Sequence, residues 1–69
     1  MRFEVGQQYV SEATPGLIAH VVQTEDLGSR ASVELRLPDG TLERTAQRVE
    51  FVQFSGVWRL QSNGHARPN

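Results

Sequence analysis

At 69 residues the chain has room for one domain, near the size at which a single core supplies only about 3–5 kcal/mol of net stability. It contains no cysteine, which excludes disulfide staples, thiolate metal sites and thiol nucleophiles. Eight acidic and seven basic residues leave a net charge of −1, a balance that argues against a dedicated phosphate-binding surface.

In chain order, Phe3, Val5, Tyr9 and Val10 predict a first short strand, made irregular by Gly6. Thr14-Pro15-Gly16 removes a ladder N–H and supplies a turn residue, so Ser11–Gly16 is a loop. Leu17–Thr24 (Leu-Ile-Ala-His-Val-Val-Gln-Thr) carries apolar side chains on both faces, which predicts a central strand covered on both sides. After a connection at Glu25–Ser29, Ala31, Val33, Leu35 and Leu37 alternate with Ser32, Glu34 and Arg36. That is the pattern of a strand with one core face and one wet face.

Pro38-Asp39-Gly40 reverses the chain into Thr41–Ala46. A two-residue Asp39-Gly40 turn would pair Leu37 with Leu42 and Arg36 with Glu43 but wastes a ladder N–H at Pro38. Pro38 favours a three-residue turn with Gly40 left-handed, which sets Leu42 opposite Arg36 and needs a bulge to return Leu42 to the core. A short helical turn is expected at residues 45–49, followed by a strand through Phe54. Ser55-Gly56 then closes a last hairpin onto Val57–Leu60. The domain is expected to span residues 1–61, with 62–69 a disordered tail lacking apolar periodicity. The predicted fold class is all-β: a small, strongly bent five-stranded antiparallel sheet forming a partial barrel, SH3-like or Tudor-like in architecture.

In the expected last hairpin, Val52, Phe54 and Val57 share one face, while Val49, Phe51, Trp58 and Leu60 share the other. A small sheet needs only one face for its core, so the other would be an apolar patch rimmed by Glu50 and Arg59, the form of a protein–protein contact. The interaction residues are accordingly Val52, Phe54, Val57, Arg59 and Trp58. Trp58 fits either the core, as its largest member, or an interface anchor. On this reading Phe54→Asp or Val52→Asp keeps the fold and weakens association.

Catalysis finds little support. His20, set among Leu17-Ile18-Ala19 and Val21-Val22, reads as a semi-buried histidine rather than a general base, since no Ser or Asp stands at a diagnostic spacing. His20 and His65 are too far apart and too few for a structural zinc site, and no glycine spacing fits a phosphate loop. No cofactor and no metal are expected. All seven basic residues are arginine, which reflects coding composition more than arginine chemistry.

The function expected is a small non-catalytic protein-interaction module that self-associates as a homo-oligomer, with another protein as the other possible partner. The alternative is a nucleic-acid-binding barrel that uses Arg36, Arg44 and Arg48, with Tyr9 or Trp58 to stack bases. No apolar run is long enough to span a membrane, and Met1–Gly6 lacks the stretch of a signal peptide, so the expected location is cytoplasmic.

Overall fold

The computed structural model describes residues 2–62, with the side chains of Arg44, Thr45 and Ser62 left aside. Of the expected tail, residues 62–69, Ser62 instead ends the last strand, and 63–69 lie outside the described residues. Five strands form one antiparallel sheet: β1 (Gln8–Ser11), β2 (Ile18–Glu25), β3 (Arg30–Arg36), β4 (Leu42–Glu50) and β5 (Trp58–Ser62). A single helical turn, α1 (Phe51–Phe54), joins β4 to β5. The sheet order is β4-β3-β2-β1-β5, so the last strand crosses back to pair with the first. Irregularities in three of the four ladders bend the strands around one core. Among the described residues β4 and β5 do not pair, and the barrel is not closed.

The core lies on the inner face. Register pairs Tyr9 with Ala19, Val21 with Val33 and Ala31 with Val49, and all but Val49 are buried. β2 is indeed the central strand, but only one of its faces is deeply covered. Ala19 and Val21 are buried, Ile18 and His20 are half-buried, and Val22 sits exposed at the ladder irregularity.

All five aromatic residues of the chain join one cluster on the inner face. Phe3 meets Tyr9, Phe51 and Phe54 edge-on with ring centroids 5.0–5.8 Å apart. Tyr9 meets Phe54 edge-on at 5.1 Å, and Phe54 stacks on Trp58 at 5.0 Å with the planes 4° apart. Such pairs add roughly 0.5–1.5 kcal/mol each beyond their buried area.

Three expectations change. The first strand begins at Gln8, not Phe3. Residues 3–7 instead tuck Phe3 into the core, held by Phe3 N donating to Gly28 O at 2.7 Å. Gln7 is buried there, and its Oε1 accepts from Glu4 N at 2.8 Å and from Tyr9 Oη at 3.1 Å. The helical turn falls at Phe51–Phe54, beyond an uninterrupted β4. Its i, i+3 spacing turns Phe51 and Phe54 inward together, and that aromatic burial overrides the local strand preference. The last hairpin does not form, because β5 pairs with β1 (Tyr9 opposite Leu60, Ser11 opposite Trp58).

The Pro38 hairpin is the three-residue form, with Gly40 at φ +93° and Leu42 opposite Arg36. The bulge lies farther along, in β4, where Val33 faces Gln47 but Leu35 faces Glu43, and Leu42 is half-buried. The β2–β3 turn is strained: Asp26 (φ 52°) and Leu27 (φ 59°) are both left-handed, each at a cost on the order of 1 kcal/mol.

Candidate functional site

The open seam of the barrel forms a cleft. The end of β4, α1 and the start of β5 border an open hollow of about 420 Å³, within the range of about 300–1,000 Å³ usual for binding pockets. Val49, Phe54, Val57 and Trp58 supply its apolar lining, and Arg48, Glu50 and Gln53 its polar lining. The cleft exists because α1 must carry the chain from one sheet edge to the other. Glu12 N donates to Val57 O at 3.0 Å, fixing the start of β5 against β1 and away from β4. Trp58 is half-buried, with one ring face held flat by Phe54.

The expected interaction residues are only partly brought together. Val57 and Trp58 share the cleft, with Phe54 beneath them. Phe54 itself is a core residue, only 6% exposed, and its place on a surface patch is corrected accordingly. Val52 is 84% exposed on the outer side of α1 and does not line the cleft. Arg59 leaves on the opposite face of β5, 3.4 Å from Glu12, beside a more polar hollow of about 520 Å³. The continuous face required the hairpin that does not form.

Among the described side chains the nucleic-acid candidates do not converge. Tyr9 is buried, 4% exposed, and unable to stack a base; burial, then Glu4, raises its pKa. Arg48 is paired with Glu25, and Arg36 stands four positions along β3 from the residue opposite Arg48, about 13 Å away. The Arg44 side chain lies outside the description. Among the described residues no three His, Cys, Asp or Glu side chains converge as a metal centre requires.

No protein-family model, no curated protein and no solved structure matches this chain. No helix among the described residues is long and apolar enough to cross a membrane. The site must therefore be read from its own chemistry.

Sequence reasoning missed Gln7 and the seam. A buried glutamine has no periodic signature, and the seam depends on which strand β5 chooses. His20 stands on the outer face opposite Gln8 and Glu34, and its Nε2 is buried without a hydrogen-bond partner among the described residues. Burial lowers its pKa from the usual 6.5, Arg36 lowers it further, and Glu34 opposes both. The unfolded chain therefore takes up this proton at higher pH than the folded one. Stability is full above about pH 6.5 and falls as the pH drops through the interval below it. Urea unfolding at about pH 7.5 and about pH 5.5 should show that loss in the wild type and a smaller one in His20→Gln. Equal losses would mean that His20 is not its source.

Proposed function

We propose that the protein is a cytoplasmic, non-catalytic interaction module that receives an extended apolar segment of another protein chain along the seam between β4 and β5. The observation that carries this reading is the cleft walled by Trp58 and Val57 between two sheet edges. Edge strands offer unpaired backbone groups to an added strand, and an adjoining pocket for one side chain gives such binding its selectivity. An aromatic wall with a charged rim is the usual anatomy of a contact centre. An SH3-like or Tudor-like barrel is the architecture we propose to group it with, on the strength of five short strands and the return of β5 to β1.

Selection of a random peptide library on the full-length chain tests the reading, with Trp58 emission as the readout. We expect apolar peptides of micromolar Kd that shift Trp58 emission. Val57→Asp, on the cleft rim and 47% exposed, should keep the fold and weaken binding at least tenfold. If no peptide distinguishes the wild type from Val57→Asp, the seam is not a binding site.

A further inference from the structure

The two edges of the sheet differ in what they offer a further strand. Glu12 N donates to Val57 O at 3.0 Å, so Val57 turns its carbonyl toward β1. Alternation along an antiparallel ladder then turns the N–H and C=O of Trp58 and Leu60 the other way, onto the open edge of β5. The side chains of these two residues lie on the inner face, opposite Ser11 and the buried Tyr9. Neither is fully covered there: Leu60 is 37% exposed, and Trp58 is half-buried at the cleft. Arg59, between them, stands on the outer face with its Nε 3.4 Å from Glu12 on the β1 side. A guanidinium has five donors, and this side chain is 66% exposed, so most of them stay open toward the free edge. The β4 edge is guarded instead. A bulge interrupts it between Glu43 and Gln47, and Glu43, Arg48 and Glu50 stud it with charge, both devices that keep added strands away.

We infer that the partner segment received at the seam adds to β5 as an antiparallel sixth strand with an apolar–acidic–apolar pattern. This rests on the seam reading and names the edge and the partner chemistry within it. Antiparallel addition continues the alternation of the sheet and is the more stable ladder per residue. Main-chain bonds run at Trp58 and Leu60, and the two apolar side chains lie opposite them on the inner face. There they extend over the uncovered part of the core, toward half-buried Val49 across the cleft. The acidic side chain lies opposite Arg59 on the outer face. That position is the closely spaced, non-hydrogen-bonded kind, where side chains meet directly. Glu12 holds Arg59 from the β1 side only, so the free side attracts a carboxylate and repels an ammonium.

Amide exchange of the full chain, followed by NMR, tests this with two acetylated and amidated heptapeptides. One is Thr-Thr-Val-Asp-Val-Thr-Thr, and the other has lysine in place of the aspartate. At about 1 mM the aspartate peptide should slow exchange about tenfold at Trp58 and Leu60 and leave Arg48, Glu50 and Arg59 unchanged. The lysine peptide should bind about fivefold more weakly, and Arg59→Gln should still bind but erase that difference. No protection at Trp58 and Leu60, protection at Arg48 and Glu50 instead, or equal binding of the two peptides overturns the inference. Library-selected peptides that shift Trp58 emission without protecting those two amides would overturn it as well, while leaving the seam reading standing. Slow exchange at Trp58 and Leu60 in the free protein would mean that residues 63–69 or a second copy already holds the edge, and that too overturns it.

Discussion

Gly28→Ala should remove most of the stability of the fold at 25 °C. Gly28 has φ +91°, and a Cβ added there would lie 2.7 Å from the Phe3 carbonyl oxygen and 2.8 Å from Arg2 Cβ. The left-handed backbone alone costs alanine about 1–2 kcal/mol. The clash is worse, because the Phe3 carbonyl cannot retreat without drawing the Phe3 ring out of the aromatic cluster. Together they should cost at least about 3 kcal/mol, against a total stability of about 3–5 kcal/mol for a domain of this size. Gly40 supplies the control. It has nearly the same φ, +93°, but a Cβ there meets nothing within 4 Å. Gly40→Ala should cost only the backbone part, about 1–2 kcal/mol, and still fold. Urea titrations of the two variants isolate the close approach at Gly28. Equal losses would show that the packing of residues 2–3 on the turn contributes nothing.

Phe54→Ala should unfold the domain, while Val52→Asp should not. Phe54 touches the rings of Phe3, Tyr9 and Trp58, and losing a buried phenylalanine of this kind costs about 3–5 kcal/mol. Val52 is two residues away and 84% exposed, so its substitution should stay within about 0.5 kcal/mol of the wild type. Phe54→Asp, expected from the sequence to be tolerated, belongs with Phe54→Ala. Circular dichroism separates the two classes, and Trp58 emission should redden in the Phe54 variants as its stacking partner is lost. A folded Phe54→Ala would mean that the cluster is not the core.

The strand-rich class was legible because period-two alternation and turn residues are local signals. Ala31 to Leu37 alternate cleanly, and the Pro38 hairpin adopts the geometry that proline requires. The helical turn was anticipated but displaced, since Ala46, Val49 and Val52 share the same three-residue spacing as Phe51 and Phe54. Only the location of the core decides which set turns inward. The candidate site was half legible: Val57 and Trp58 do share a cleft, while Val52 and Arg59 leave it on other surfaces.

What the sequence determined by itself was the set of local choices: where the chain extends, where it turns, and that its sheet has one strongly apolar face. What the tertiary structure alone decided was the partner of the last strand. Val57–Leu60 could pair with the segment just before it at little loop-closure cost, or with Tyr9 nearly fifty residues away. Long loops add only slowly to that cost. Pairing β5 with β1 is favoured because it gathers all five aromatic side chains on one face, a gain no local window contains. The seam, its cleft and the exposure of Val52 all follow from that single pairing.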